Sequence, residues 1–224
     1  LTGGPAFAVD GTINSLKIGK GTNDVNGNTC FGENALDAAV SGENNTAIGK
    51  NTLTANTSGE ANTAIGSNVL KANTTGSRNT GLGINSFIKN EDGNDNVALG
   101  NAALKENTCG TTNCAVGNFA LDANTTGTRN VAVGHNACSA QTTATDCVGV
   151  GVASLFVNET GSSNTALGRK ALTANTTGSR NTALGQSCLD VVTTADDNTG
   201  VGNNALGATS GAQNTAVGSA AGDL

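Results

Sequence analysis

Residues 62–78 read Asn-Thr-Ala-Ile-Gly-Ser-Asn-Val-Leu-Lys-Ala-Asn-Thr-Thr-Gly-Ser-Arg, and at Asn79 the series begins again. A near copy fills residues 164–180. Working outward, the anchor Asn-x-x-apolar-Gly starts at Asn28, Asn45, Asn62, Asn79, Asn96, Asn113, Asn130, Cys147, Asn164, Asn181 and Asn198, each 17 residues after the last. A twelfth copy starts at Asn214, one residue early. A fixed period of this kind governs the reading of the whole chain.

The anchor closes on Gly32, Gly49, Gly66, Gly83, Gly100, Gly117, Gly134, Gly151, Gly168, Gly185, Gly202 and Gly218. An unvarying glycine implies positive φ or a backbone approach that leaves no room for Cβ. The residue before it is always apolar, from Phe31, Ile48 and Ile65 to Val201 and Val217, and this rank is expected to form the core. A second apolar rank lies five residues after the first, at Leu36, Leu53, Leu70, Phe87, Leu104, Leu121, Cys138, Leu155, Leu172, Leu189 and Leu206. Strand side chains alternate, so Thr46 and Ile48 share one face, and Asn45, Ala47 and Gly49 the other. The second set is small or amide-bearing, which suits close packing against a sister chain. Asn-Thr-Thr-Gly clusters mark the turns.

A 17-residue unit is too short for helical repeats and fits an all-β, parallel β-solenoid, or β-roll, of about 11–12 coils. Stacked at ~4.8 Å, these make a rod about 55 Å long. So few apolar side chains per coil leave the entropy of ordering 17 residues undercompensated, and either asparagine ladders or association of chains along their length must supplement the core. Residues 1–27 depart from the period and read as an irregular N-terminal cap or assembly segment, with a partial anchor at residues 15–19; residues 28–224 form the repeat. Gly222 stands where the next Leu is expected, so the last coil reads as uncapped, to be covered by a following domain or a neighbouring subunit stacked head to tail.

Composition agrees. With 32 Gly, 5 Phe and no Trp, Tyr or Met, the chain lacks the bulky fillers of an irregular core. A net charge of −6 leaves no basic stripe for nucleic acid. No apolar run is long enough for a membrane span, and no basic n-region marks a signal peptide. The missing initiator Met points to processing or excision.

Candidate sites are few. Cys109 with Cys114, and Cys138 with Cys147, lie close enough in sequence to bridge a loop as disulfides, which would place the chain in an oxidising compartment. Cys30 and Cys188 stand where other repeats carry Ala and read as small buried fillers. His135, the single histidine, reads as a surface residue. Glu91, Asp92 and Asp95 cluster on one turn without the glycine and distal Glu of a calcium loop, so they read as a solvated turn. Asn-x-Ser/Thr sequons recur at Asn56, Asn73, Asn124, Asn158 and Asn175, with Asn44 elsewhere; they are glycan acceptors in a glycosylating host and turn chemistry otherwise. The threonine rank Thr29, Thr46, Thr63, Thr80, Thr165, Thr182, Thr199 and Thr215 raises ice binding, but Val97, Cys114, Val131 and Val148 interrupt it, and a β-branched core position accounts for both residue types. No catalytic, cofactor or metal-ligating set is read.

The consensus Asn-Thr-Ala-Ile-Gly-x-Asn-Ala-Leu-x-Ala-Asn-Thr-Thr-Gly-Ser-Arg resembles repeats of phage tail-fibre and marine bacterial surface proteins over residues 28 to about 221. It is more loosely similar to the head repeats of trimeric autotransporter adhesins, whose shorter units build a parallel β-roll in a trimer. The resemblance implies a non-enzymatic fibre or adhesin segment, extracellular, on a cell surface or on a virion. Such a segment associates with itself as a homo-trimer or filament and meets a cell-surface glycan or protein receptor. The alternatives are a polysaccharide-processing β-solenoid enzyme, which needs paired carboxylates and aromatic platforms, and an ice-binding solenoid.

Overall fold

The computed structural model describes residues 11–13, 16–21, 24–38, 41–208 and 210–223. Fourteen strands form one sheet among them: β1 (Gly11–Ile13), β2 (Leu16–Gly19), β3 (Thr29–Gly32), β4 (Thr46–Ile48), β5 (Thr63–Ser67), β6 (Thr80–Ile84), β7 (Val97–Leu99), β8 (Cys114–Val116), β9 (Val131–Val133), β10 (Val148–Val150), β11 (Thr165–Leu167), β12 (Thr182–Leu184), β13 (Thr199–Val201) and β14 (Thr215–Val217). There is no helix among the described residues, so none is long and apolar enough to cross a membrane.

From β3 to β14 each strand pairs in parallel with the next, Thr46 with Thr63 and Thr182 with Thr199, so every coil lies one repeat above the last. The short twelfth repeat is absorbed outside the strand, since Thr199 still meets Thr215. β1 and β2 are antiparallel to each other, and β2 is antiparallel to β3. The partial anchor at residues 16–19 therefore forms a reversed hairpin strand on the first coil. Residues 1–10 of the expected cap lie outside the described residues.

The core differs from expectation. The rank before the anchor glycine faces outward, with Phe31 46%, Leu82 47% and Leu167 47% exposed, whereas the middle strand residue, such as Ala47, Ala98 or Ala166, is buried. The small face is thus the interior of the solenoid, not a surface for a sister chain. Leu53, Leu70, Phe87 and their equivalents are fully buried, as expected, together with the small residue before each, as at Ala35, Thr52 and Ala171. The reason is width. A Cβ on Gly81 would stand 2.5 Å from Val69 Cγ1, and one on Gly149 or Gly200 would stand 2.5 Å from the sulfur of Cys138 or Cys188. The middle strand position sends in a methyl group, or at most the thiol of Cys30 on the first coil, and gives up even that where the opposite wall bulges.

The leucine rank is backbone-strained. Leu53, Leu104 and Leu155 sit at φ 49°, in the left-handed region that costs roughly 1–2 kcal/mol for an L-residue. Burying the side chain returns about 1.5–3 kcal/mol. β-branched residues are the poorest occupants of that region, and the rank holds Leu, Phe and Cys but no Val, Ile or Thr. The anchor glycine has no such choice. Gly117 lies at φ 138°, and a Cβ there would come 2.4 Å from the Gly134 carbonyl oxygen of the next coil.

Two asparagine ladders line the interior. In the anchor rank, the Asn45 side-chain oxygen accepts the Asn62 backbone N–H at 2.9 Å, and Asn62 serves Asn79 likewise at 3.0 Å. The Nδ2 of Asn79 donates to the Gly93 carbonyl at 2.7 Å. In the turn rank, Nδ2 of Asn73, Asn90 and Asn107 each donates to the Oδ1 of the preceding member, at 2.7–2.8 Å. Buried amides satisfied in this way are the polar supplement that a thin core requires. The turn ladder breaks twice. Gln141 donates to the Ala144 carbonyl instead of to Asn124, and Val192 follows Asn175, so Asn124 Oδ1 and Asn175 Oδ1 are buried without a donor.

Candidate functional surface

Alternation in a strand ties the two outer ranks together. Because Asn and Ala point inward, Thr and the aliphatic residue of each anchor point outward, two per coil, in register from β3 to β14. The first rank carries Thr in the first four coils, then Val97, Cys114, Val131 and Val148, then Thr in the last four. The second runs from Phe31 through Ile, Leu and Val to Val217. No position in either rank is charged. The core explanation for the threonine rank is overturned with that of its aliphatic neighbour: Thr29, Thr80 and Thr215 are exposed and the others half-buried. Phe31, taken as a core residue, belongs to this face; Phe87 is buried.

Beside this face runs a ladder of ion pairs that the 17-residue period conceals. Arg78, Arg129 and Arg180 lie three coils apart, and each reaches a carboxylate one coil on: Arg78 Nε to Asp95 at 2.6 Å, Arg129 Nε to Asp146 at 2.7 Å and Arg180 Nε to Asp197 at 2.7 Å. A second nitrogen of each guanidinium donates to the other carboxylate oxygen. The hydrogen bond from arginine holds each of these three carboxyls below the usual range. The 51-residue spacing of the arginines was the available signal. Asp95 is thereby engaged, while Glu91 and Asp92 are exposed on the turn. Among the described residues no three His, Cys, Asp or Glu side chains gather as a metal-binding group.

The expected disulfides are not formed. Cys109, Cys114, Cys138 and Cys147 are all free thiols. Cys109 is exposed on a turn, while Cys114 opens β8 on the outer sheet face. Cys138 and Cys147 each occupy an inward rank, stacked on its own equivalents instead of across the loop. Cys147 takes over the duty of asparagine, its thiol meeting the Gly161 carbonyl at 3.3 Å. Burial raises the Cys138 thiol strongly and pushes Cys147 up to about 11. Cys188, also raised to about 11 by burial, and Cys30 are the buried fillers expected. His135 is exposed and stands edge-on to Phe119, with ring centres 6.1 Å apart.

The sequons divide. Asn56, Asn73, Asn124, Asn158 and Asn175 are the turn ladder itself, fully buried, so the folded chain offers no glycan attachment there; Asn44 is exposed. Comparison of the chain with protein-family models, curated proteins and solved structures returns no match. The outward sheet face is uncharged and flanked by polar turns.

Proposed function

We propose that this chain is a non-enzymatic rod, a structural or adhesive segment that holds a repetitive surface at a fixed spacing outside the cell, on a cell surface or on a virion. The observation that carries the reading is the unbroken register from β3 to β14, in which one small unit is stacked with its polar groups turned onto the next copy. A backbone bonded in this way resists proteolysis, which suits exposed display. Among the described residues, ion pairs such as Arg78 with Asp95 and Lys50 with Glu33 run from one coil to the next along the turns. In this reading the rod meets a glycan or protein receptor with its polar turns and associates with further copies of itself. The test is to incubate the chain with surface polysaccharides and whole cells. Saturable binding without released sugar and survival of the rod under trypsin are expected; turnover of a polysaccharide would replace the reading with an enzyme.

Ice binding has one specific support, the outward threonine rank on a regular sheet. Inhibition of ice recrystallisation by the wild-type chain, abolished in Thr182→Lys, would establish it.

A further inference from the structure

We infer that the outer face of β3–β14 is an interface between two copies of this chain, packed side by side with the rods antiparallel. The inference rests on the rod reading and names its partner. Three observations carry it. The face holds no charge along twelve coils, although charged residues flank it on the turns. Its largest side chains are left in solvent, with Phe31, Leu82 and Leu167 nearly half exposed and Val217 72% exposed. The rank is half-buried through the centre, at Leu99, Val116, Val133 and Val150, and an uncharged apolar stripe left this far in solvent over twelve coils marks an interaction site.

The third observation selects the occupant. The first rank is symmetric in composition about the point between β8 and β9: four threonines, then Val97, Cys114, Val131 and Val148, then four threonines. The second rank places Val116 and Val133 on either side of the same point. A two-fold axis through that point along the strand direction sets each rank against the same rank of the second copy, coil order reversed. Threonine then meets threonine at both ends, and valine and cysteine meet valine at the centre. This is a dry apolar centre between polar rims, self-complementary as a two-fold contact requires. A partner of unrelated shape would not need that symmetry, and an ice lattice would gain nothing from losing its threonines in the middle. The size is adequate: ~58 Å by ~10 Å gives about 600 Å² per chain and about 1,200 Å² in all, the lower end of the range for stable pairs.

The test is sedimentation velocity on the full chain across micromolar to sub-millimolar concentrations. Wild type is expected at twice 21.8 kDa. Val131→Lys, which sets like charges at the centre, is expected to raise the dissociation constant at least ~10-fold, and Thr75→Lys, on an exposed turn away from this face, to leave the dimer intact. Unchanged thermal unfolding of both variants shows that each rod is still folded. In a Cys109→Ser/Cys114→Val background, a short bismaleimide is expected to join Thr46→Cys of one copy to Thr199→Cys of the other, positions nine coils apart within one chain, and to leave Thr46→Cys alone, which would face its own coil in a parallel pair, unlinked. A monomeric wild type, a dimer indifferent to Val131→Lys, or chains joined through Thr46→Cys alone would overturn the proposal. So does a monomer that inhibits ice recrystallisation and loses this in Thr182→Lys. None of these outcomes alters the protease and turnover tests of the rod itself.

Discussion

Replacing Asn90 by Asp tests the interior ladder with almost no change of shape. Asn90 is fully buried; its Nδ2 donates to Asn73 Oδ1 at 2.7 Å and to the Gly93 carbonyl at 3.1 Å, while its Oδ1 accepts from Asn107 at 2.8 Å. Asp keeps the acceptor and sets an oxygen where the donor was, facing two other oxygens. Protonated, the acid restores one of the two lost bonds and leaves one acceptor bare, a cost of about 1–3 kcal/mol. Holding it protonated at pH 7 against an unfolded-state pKa of ~3.9 adds roughly 4 kcal/mol. The folded-state pKa is raised above the unfolded one, so the sign is definite. The variant is nearest wild type below about pH 4 and loses ground as pH rises. Urea unfolding of wild type and variant at pH 4 and pH 7 should show a deficit of ~1–3 and ~5–7 kcal/mol, respectively. Asn118→Asp is the control: Asn118 is exposed, and its Oδ1, which accepts the Asn101 N–H, is kept. A variant within ~0.5 kcal/mol of wild type at pH 7, or a deficit independent of pH, would refute the ladder's energetic role.

Gln141→Asn should stabilise the chain by ~1 kcal/mol in the same urea assay, by supplying the donor that Asn124 Oδ1 lacks. Gly117→Ala should cost several kcal/mol and lower the thermal midpoint, because the methyl group would lie 2.4 Å from the Gly134 carbonyl at φ 138°. Leu121→Val should cost more than the ~1 kcal/mol of a lost methylene, since Leu121 lies at φ 50°, where β-branching adds strain. Asp95, Asp146 and Asp197 have lowered folded-state pKa values, so their contribution is present above pH ~4 and is lost as pH falls further. The triple Asn variant should show a flatter thermal midpoint below pH 4 than wild type, and added salt should shrink the difference at pH 7.

Period, unit length and the invariant glycine were legible in sequence because each is a local property repeated in every coil. A 17-residue spacing admits one stacking register, and glycine at the fifth position of every anchor announces a backbone that closes on its neighbour. The buried leucines followed from the same ranks, and the asparagine ladders were one of the two supplements to the core that the ranks allowed. What the ranks left open was parity. Either Thr46 and Ile48 or Asn45 and Ala47 face inward, and hydropathy favours the wrong choice. The coil cross-section decides the matter: with leucine and the residue before it already filling the interior from the opposite wall, the strand has room for a methyl group and for amides that bond along the axis. That one decision turned the isoleucines and threonines outward, and with them the candidate surface. The fate of the cysteines followed the same logic, since each keeps the direction of its rank and nearness in sequence does not bring thiols together. Sequence by itself determined the repeat and its stacking; only the tertiary structure decided which side of each strand is the inside, because that depends on the volume enclosed by a closed coil and not on any residue's own preference.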